Sequence, residues 1–509
     1  INGNTNFPTQ PPIAAGGQVT YRLRYEMPNS NFRNLTLRDY LPLPVFQATT
    51  LTNFQDVASA AAPPSGTVKF GPDDTFRGIS GVVPAFSTNS TENSFSLNWS
   101  QYINPTNQRS VVDILFTVTV NDQPFADNLL LTNQARSIEG TTNGTPVIDD
   151  QIVQFVLTEP RFKVEKGVIQ SNSPVIVYSQ PVGPVSFSPP GSPGYRGSGP
   201  ITSSGIGATP VRASATGAQA ADLVSFAVIL ENTGTGVNGA FDIRVKDTIP
   251  AGFVIPAGGL NLFVSDGTGA PMAYTDLPGG LFGAGIQLND PGPTAVPPGA
   301  LDNYGPISGR NIAVITYDLQ VADSVTPNLT LTNTADLFYF AGLEGGVNYA
   351  PDDLQSSTSV VTLIPSVAKA ITATSQPFTS GTNLAISEIA TYTMTVGVPH
   401  SRTPNARLVD TLPDGLALVS LDSITANPSL SATAGSFASI LANASIGANG
   451  SSFTLNFGDI IFFFNDTATT ETFVITYQAA SLNVAANTNG RVQANNAVIT
   501  FDGGQASGS

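Results

Sequence analysis

Cysteine is absent from the 509 residues of this chain, and histidine occurs once. Without thiols there are no disulfide bonds and no thiolate metal sites. The one histidine, His400, cannot build a histidine-rich metal site and is expected to be solvated. Positive charge is also scarce, with 20 Lys and Arg against 36 Asp and Glu and a net charge of −16. This balance argues against a nucleic-acid partner, because phosphate binding requires clustered Lys and Arg.

Long apolar runs are missing as well. No stretch reaches the roughly 18 residues that a membrane-spanning helix needs, and no segment of useful length repeats its apolar residues with helical spacing. The chain instead contains 48 glycines and 39 prolines, with abundant Thr, Ser and Asn. That composition is typical of many short strands joined by turns.

One short phrase, an Asp followed three residues later by Pro, occurs three times with similar neighbours. The phrases are Leu37–Pro42, Val245–Pro250 and Leu408–Pro413. Each is answered by an Asn-x-Ala motif, which begins 94, 86 and 85 residues after the Asp, at Asn133, Asn333 and Asn495. Three copies of one pattern in register indicate a repeat array.

An alternating strand precedes each Asp phrase, and another precedes each Asn-x-Ala motif. In the first of them Val19, Tyr21, Leu23 and Tyr25 share one face, with polar residues between them. This two-residue period predicts half-buried antiparallel strands. We therefore predict an all-β fold of three tandem immunoglobulin-like β-sandwich domains arranged as a rod.

The repeats predict three domains, at 1–157, 158–362 and 363–509. Repeat 1 has no segment that corresponds to the first strand of the other two, and repeat 3 is expected to lack the last strand. Repeat 2 carries a Pro/Gly-rich insertion at about 179–221, which has too few apolar residues for a core of its own. We interpret the insertion as a surface loop; the alternative is a contact loop that packs on a neighbouring subunit.

The phrase Asp-Thr-Leu-Pro-Asp-Gly-Leu at 410–416, after the strand 391–396, resembles the β-sandwich repeat of large bacterial surface proteins. Repeat 2 has related segments at 231–234 and 247–253. The layout is also similar to that of fimbrial isopeptide-forming domains. In that family a Lys on the first strand bonds to an Asn on the last strand, and an acidic residue between them is the catalyst. The resemblance covers nearly the whole chain.

Five lysines occur in the chain, and two of them stand where the resemblance places the reactive lysine. Lys166 and Lys369 are each in phase with the apolar residues of an alternating strand. Each side chain is therefore expected to point into the core, where a free ammonium group is costly. Lys163 is out of phase and is expected to be solvated.

The resemblance implies two self-formed crosslinks, Lys166–Asn333 assisted by Asp247 and Lys369–Asn495 assisted by Asp410. Burial lowers the pKa of a lysine and raises that of a neighbouring carboxyl group, which favours a neutral nucleophile and a protonated acid. Each bond forms once, with loss of one ammonia. The two Asp residues are thus catalytic for self-crosslinking only, and we do not expect an enzyme with turnover.

Each of these residues also has a simpler interpretation. The Asp can end a strand and cap a turn, the Asn can be an ordinary strand residue, and both lysines can extend their ammonium groups to solvent. Within the crosslinking hypothesis, Glu165 or Glu388 is an alternative acid. Repeat 1 departs from the pattern because it has Asp39 and Asn133 but no Lys before Asp39.

The incomplete ends suggest two arrangements. The chain is either a segment of a longer array or a subunit whose open first position receives a strand from its neighbour by β-strand addition. An unpaired sandwich edge would otherwise favour aggregation.

Acidic pairs near turns are the only other candidate ligands. Asp149-Asp150 and Asp352-Asp353 fall at similar places between repeats and are candidate Ca²⁺ ligands. No complete calcium-binding loop is present, and solvated turns explain these pairs more simply. No paired carboxylates stand at a plausible glycosidase site, and no phosphate-binding glycine loop occurs. Apart from this Ca²⁺ candidate, no cofactor is expected.

These patterns predict an extracellular structural protein at a bacterial cell surface, a subunit or segment of a fibre, sheath or stalk. Its partners are expected to be copies of itself in a filament or longer array. The alternative is an adhesin that binds a glycan or protein through its loops, chiefly the insertion.

Overall fold

The computed structural model describes residues 10–509 apart from 28, 30, 78–81, 105–106, 141–143, 193–197, 351–353 and 463–469. Within these residues the regular structure is almost entirely β-strand, with two short α-helices. The strands form three consecutive sandwiches of two sheets, and each sandwich encloses its own apolar core. The prediction of an all-β protein with three immunoglobulin-like β-sandwiches is confirmed. None of the helices in the described residues is long and apolar enough to cross a membrane.

The described residues of repeat 1 form ten strands. They are β1 (Pro12–Ile13), β2 (Gln18–Met27), β3 (Asn34–Tyr40), β4 (Asn53–Ala58), β5 (Thr67–Phe70), β6 (Ala85–Asn89), β7 (Ser94–Trp99), β8 (Ser110–Thr119), β9 (Leu129–Gly140) and β10 (Val147–Leu157). One sheet has the order β1-β10-β9-β3-β7-β6 and the other β2-β8-β5-β4.

In repeat 2 the structure describes twelve strands and one α-helix. They are β11 (Phe162–Ser171), β12 (Val177–Tyr178), α1 (Ser203–Ala208), β13 (Ala215–Ala218), β14 (Leu223–Asn232), β15 (Phe241–Thr248), β16 (Phe253–Val254), β17 (Phe263–Asp266), β18 (Tyr274–Asp276), β19 (Ile286–Leu288), β20 (Ile312–Val321), β21 (Thr330–Ala341) and β22 (Leu354–Thr362). The sheets have the orders β11-β14-β20-β16, with β17 also on β20, and β12-β13-β22-β21-β15-β19-β18.

Repeat 3, apart from 463–469, has ten strands and one α-helix. They are β23 (Ser366–Thr374), β24 (Ile389–Pro399), β25 (Arg402–Thr411), β26 (Leu416–Ala426), β27 (Leu430–Ala432), α2 (Phe437–Ala442), β28 (Ser445–Ile446), β29 (Ser452–Phe462), β30 (Thr470–Ser481), β31 (Asn496–Phe501) and β32 (Gly504–Gly508). The sheets have the orders β23-β24-β30-β26 and β27-β29-β25-β31-β32, with β28 on β29.

In every repeat the Asp of the phrase and the Ala of the Asn-x-Ala motif lie on adjacent strands. The Asp is always paired across the sheet with the Ala of the motif, as Asp39 with Ala135, Asp247 with Ala335 and Asp410 with Ala497. Residues two apart on a strand share a face, so the Asn lies on the same face as the Ala. This register brings the Asp and Asn side chains together in the core and explains the spacing of the motif.

The first strand is the main difference between the repeats. In repeats 2 and 3, β11 and β23 pair antiparallel with β14 and β24. The strand of repeat 1 that corresponds to β14 and β24 is β2. It stands at the edge of its sheet and pairs only with β8 among the described residues. Among the described residues, the other edge of β2 is therefore unpaired, and it is called the open edge below.

The last strand of repeat 3 is present. Gly504–Gly508 forms β32, which pairs antiparallel with β31 as β22 pairs with β21. The prediction that repeat 3 lacks this strand is therefore wrong. Its sequence, Gly-Gln-Ala-Ser-Gly, carries almost no apolar side chains, so hydrophobic alternation could not reveal it.

The insertion of repeat 2 packs on its own sandwich. Phe187, Ile201, Ile206 and Val211 are buried against the outer face of the sheet that contains β11, β14 and β20, in a cluster separate from the main core. The insertion does not need a core of its own, because the sheet supplies the other half: Ile169, Ala227, Ile229, Ile312 and Val314.

Gly167 allows this close packing. A Cβ atom at this position would lie 2.9 Å from both the carbonyl carbon and the oxygen of Val211. The backbone of the insertion can therefore approach β11 directly beside Lys166 only because residue 167 has no side chain.

Candidate self-crosslinking sites

A buried lysine lies at the centre of repeat 2. The side chains of Lys166 and Asp247 are both fully inaccessible to solvent, and the ammonium nitrogen contacts Oδ2 of Asp247. Nζ of Lys166 also donates to the hydroxyl of Tyr317 at 2.6 Å. That hydroxyl in turn donates to Asp247 Oδ2 at 2.5 Å and accepts from Nδ2 of Asn333 at 2.9 Å. The tyrosine hydroxyl thus joins the lysine, the acid and the amide in one network.

Burial shifts the pKa values of the pair toward the neutral forms. Desolvation lowers the pKa of Lys166 to about 8, against the opposing attraction of Asp247. Desolvation likewise raises the pKa of Asp247. It also raises the pKa of Tyr317, which therefore keeps its proton. A neutral amine beside a protonated carboxyl group is the state that nucleophilic attack on an amide requires.

Repeat 3 holds a second cluster of the same composition. The ammonium of Lys369 lies 2.9 and 2.8 Å from the two carboxylate oxygens of Asp410, and both side chains are almost fully buried. It also donates to the backbone carbonyl of Asn495 at 3.1 Å, and Nδ2 of Asn495 donates to the hydroxyl of Tyr477 at 2.8 Å. Burial lowers the pKa of Lys369 and raises that of Asp410.

The side-chain carbonyl groups of both asparagines lack a hydrogen-bond donor in the part of the chain that the structure describes. Oδ1 of Asn333 and Oδ1 of Asn495 are buried without a partner among the described residues. An unpaired buried acceptor is costly, and here it is the oxygen that gains negative charge when an amine attacks the amide carbon. A proton held by the neighbouring Asp could satisfy it during the reaction.

Repeat 1 keeps the acid and the amide without the lysine. Nδ2 of Asn133 donates to Oδ2 of Asp39 at 3.0 Å, and Asp39 is completely buried. Desolvation raises the pKa of Asp39 to about 8. Oδ1 of Asp39, Oδ1 of Asn133 and the hydroxyl of Tyr21 are buried without a partner among the described residues.

The tyrosine of the network was not identified from the sequence. Tyr317 is paired across the sheet with Phe226, and Tyr477 with Tyr392. The residue at the corresponding position of repeat 1 is Phe116. Superposing the three strands that precede the Asn motifs would have revealed a tyrosine where the lysine is present and a phenylalanine where it is absent.

The two glutamates considered as alternative acids lie elsewhere. Glu165 points away from Lys166 and accepts from the backbone N–H of Val211 in the insertion at 3.0 Å. It also forms an ion pair at 2.8 Å with Lys163, whose side chain is about two-fifths exposed. Glu388 accepts from the backbone N–H groups of Gln376 and Ala385 in a loop.

The remaining candidate residues do not form a site in the part of the chain that the structure describes. Asp149 is exposed on β10, and Asp150 forms an ion pair with Arg136 at 2.7 Å. Asp352 and Asp353 lie outside the described residues. No group of three or more His, Cys, Asp or Glu residues suited to a metal ion occurs in the described ranges.

The expectation of a solvated His400 is wrong. The residue is 5 % exposed and its ring packs against Phe462. Its backbone carbonyl accepts from Ala220 N–H at 2.8 Å, and its N–H donates to the side chain of Gln219 at 2.9 Å. His400 is therefore buried where repeats 2 and 3 meet.

No protein-family model and no curated protein sequence matches the chain. Among solved structures, it is similar to the C-terminal domain of the Streptococcus pyogenes antigen I/II-family protein AspA, with 12 % identity and a TM-score of 0.26 over 58 % of this chain and 94 % of that one. It is also similar to BcpA, the major pilin subunit of Bacillus cereus, with 10 % identity and a TM-score of 0.23 over 83 % of each chain. The full-length major pilin SpaD from Corynebacterium diphtheriae has 10 % identity and a TM-score of 0.22 over 53 % of this chain and 60 % of its own. Likenesses at this level assign no function.

Proposed function

We propose that this chain is an extracellular structural protein of a bacterial surface, a subunit or segment of a fibre, sheath or stalk that bears mechanical load. Repeats 2 and 3 are stabilised by isopeptide bonds from Lys166 to Asn333 and from Lys369 to Asn495. The observation that carries this proposal is the burial of each lysine against an Asp, in one network with an Asn on the adjacent sheet. A lysine kept only for solubility has no reason to occupy such a place.

The reaction needs only groups that are already present. The neutral amine of Lys166 attacks Cγ of Asn333, and the carboxyl group of Asp247 protonates the amide oxygen. A proton from the attacking amine then passes through Asp247 to Nδ2. The Cγ–Nδ2 bond breaks, ammonia leaves, and the carbonyl oxygen returns its proton to Asp247. The new amide joins the two sheets without any co-reactant.

A bond at this position changes how the sandwich bears force. Lys166 lies on the first strand and Asn333 on one of the last, so tension along the chain passes through the crosslink and bypasses the residues between them. Each crosslink also closes a long loop, which reduces the conformational entropy of the unfolded chain. In the chain-entropy model used for disulfides, a loop of this length contributes roughly 5 kcal/mol. The bonds would thus stabilise a protein that has no cysteine.

We further propose that subunits or segments join by β-strand addition at the open edge of β2. Unpaired N–H and C=O groups along an edge strand are a template for another strand. The edge of β2 has no partner strand among the described residues, whereas the equivalent edges of repeats 2 and 3 are covered by β11 and β23.

Stretching single molecules tests the mechanical role. Lys166 and Asn333 are 167 residues apart, and Lys369 and Asn495 are 126 apart. At roughly 3.3–3.6 Å per residue, the bonds would withhold about 550–600 Å and about 420–450 Å of extension. We expect the wild-type chain to extend only through repeat 1 and the linkers, and the Lys166→Arg/Lys369→Arg variant to recover both lengths. Full extension of all three repeats in the wild-type chain would disprove the proposal.

A further inference from the structure

We propose that repeat 1 is a covalent acceptor site for a lysine-bearing β-strand supplied from outside these 509 residues, and that this lysine becomes bonded to Asn133 with Asp39 as the proton-transfer group. The inference rests on the proposed crosslinking of repeats 2 and 3. It adds a second kind of bond, one that joins separate segments instead of closing a single sandwich.

The open edge of β2 has the geometry of the two occupied edges. In repeat 2 the lysine stands opposite Val228, two residues after Phe226; in repeat 3 it stands opposite Met394, two residues after Tyr392. The residue of β2 at the same distance from its aromatic residue, Tyr21, is Leu23. An antiparallel strand that places its lysine opposite Leu23 would direct the ammonium group toward Asp39 and Asn133.

Without such a strand, buried polar atoms in the interior of repeat 1 lack hydrogen-bond partners among the described residues. Oδ1 of Asp39 and the hydroxyl of Tyr21 are buried and unpartnered among the described residues, whereas the Asp of each of the other repeats contacts its lysine. Unpaired buried polar atoms destabilise a folded domain. An incoming amine can donate to both oxygens, so the strand would relieve a cost already present in the folded domain.

The protonation state of the buried acid in repeat 1 also suits the reaction. Asp39 is protonated at neutral pH because burial raises its pKa to about 8. Tyr21 stacks on Phe116 with ring centroids 4.8 Å apart. Its hydroxyl group is buried, and Phe116 stands at the strand position that Tyr317 and Tyr477 occupy in the other repeats. The lysine amine would displace ammonia from Asn133, so that one C–N bond forms, one breaks and no co-reactant is needed.

The lysine must come from elsewhere. Residues 1–17 contain none. Lys69 donates to Ser59 at 2.6 Å, Lys163 pairs with Glu165, and Lys246 lies 3.9 Å from Asp336. Lys166 and Lys369 occupy their own clusters.

The edge also favours one kind of donor sequence. In repeat 2 the residue before the lysine, Glu165, stands opposite Ile229. The corresponding residue of β2 is Arg24, which pairs with the exposed Glu26. A donor strand with an acidic residue before its lysine would place opposite charges side by side. The segment Phe162–Ser171 of this chain has that order and can serve as a probe.

The experiment incubates the folded full-length chain with a synthetic peptide of the sequence Phe162–Ser171 and follows the intact mass. We expect the mass to rise by that of the peptide less one ammonia, with the branch mapped to Asn133. The peptide with Lys166→Arg should give no adduct with the wild-type chain. The chain variant Asn133→Ala should give no adduct with the unaltered peptide. The variant Asn53→Ala, at an exposed position of repeat 1, should react like the wild-type chain.

A second format removes the limit of weak peptide affinity. The same ten residues are placed before Ile1 through a Gly/Ser linker, which raises their effective concentration, and the expected result is one additional ammonia lost relative to the untagged chain. Binding without a covalent bond, or no reaction in either format, would overturn the proposal. The mass of the chain before peptide is added reports the bonds of repeats 2 and 3, so failure of those bonds is read separately.

Discussion

At the residue scale, the three repeats provide a natural comparison within one chain. Repeats 2 and 3 combine a lysine with a tyrosine hydroxyl at 317 and 477, and repeat 1 has neither the lysine nor that hydroxyl. The hydroxyl of Tyr317 contacts the lysine, the acid and the amide. We infer that it holds the three groups in reacting order and is a positioning group.

Removal of this hydroxyl should slow crosslinking without unfolding the domain. Tyr317→Phe reproduces the residue found in repeat 1, so the core should accept it. We expect bond formation in repeat 2, followed as ammonia loss after refolding, to slow about tenfold or more, with repeat 3 unaffected. Tyr339→Phe, which removes a half-buried hydroxyl from the strand of Asn333, is the control. Equal rates in the two variants would refute the assigned role.

Asp39 should make the stability of repeat 1 depend on pH. Its pKa is about 8 in the folded protein, above the ordinary value of 3.8, so the folded state binds the proton more tightly than the unfolded state. The contribution of this proton to the free energy of unfolding is fully present below about pH 4. It is lost as the pH rises toward about 8.

The difference between Asp39→Asn and the wild-type chain tests this dependence. We expect the variant to lose the decline between pH 4 and pH 8, measured by denaturant unfolding of repeat 1. Asp149→Asn, at an exposed position of the same repeat, should follow the wild-type curve. A parallel decline in the Asp39→Asn and wild-type chains would show that another group is responsible.

At the element scale, strands with alternating apolar residues could be predicted from the sequence. Elements that depend on packing or on backbone pairing alone could not. The strands that precede Asp39, Asp247 and Asp410 were predicted because their apolar residues alternate. The short strand β32 was missed because its residues are small and polar, and backbone pairing alone defines it. The resemblance to isopeptide-forming domains implied the partners of Lys166 and Lys369. The tyrosine hydroxyl of each network was missed because it belongs to an otherwise ordinary strand.

The insertion of repeat 2 shows the same limit. Its few apolar residues suggested a loose surface loop, yet Ile206 is buried against the outer face of β14 and β20. That face is recognisable in hindsight, because β14 is apolar on both sides: Ala227 and Ile229 alternate with Phe226 and Val228. A strand without polar alternation is covered on both faces.

Loss of one buried side chain should loosen the insertion. Ile206→Ala removes apolar contacts from this small cluster, and substitutions of this kind cost about 2–5 kcal/mol. We expect proteolysis within 198–211 to accelerate while repeats 1 and 3 stay resistant. Ile255→Ala, at a residue about half exposed, should change little. Equal cleavage of both variants would show that the cluster does not hold the insertion.

At the scale of the whole molecule, the absence of cysteine and the buried lysines belong to one account. The chain has a core in each repeat and no disulfide bond between its strands. Two amide crosslinks would provide what disulfides provide elsewhere, and unlike disulfides they resist reducing agents. The open edge of repeat 1 is the point at which the same chemistry can extend beyond the chain.

The formation of the isopeptide bonds in repeats 2 and 3 can be tested by intact-mass measurement. The chain is first allowed to fold and is then denatured for the measurement. We expect a mass below the 52.7 kDa of the sequence by two molecules of ammonia, one for each of repeats 2 and 3. The single variants Lys166→Arg and Lys369→Arg should each lose one ammonia, and the double variant none. A wild-type mass equal to that of the sequence, with no branched peptides at Asn333 or Asn495, would contradict the account.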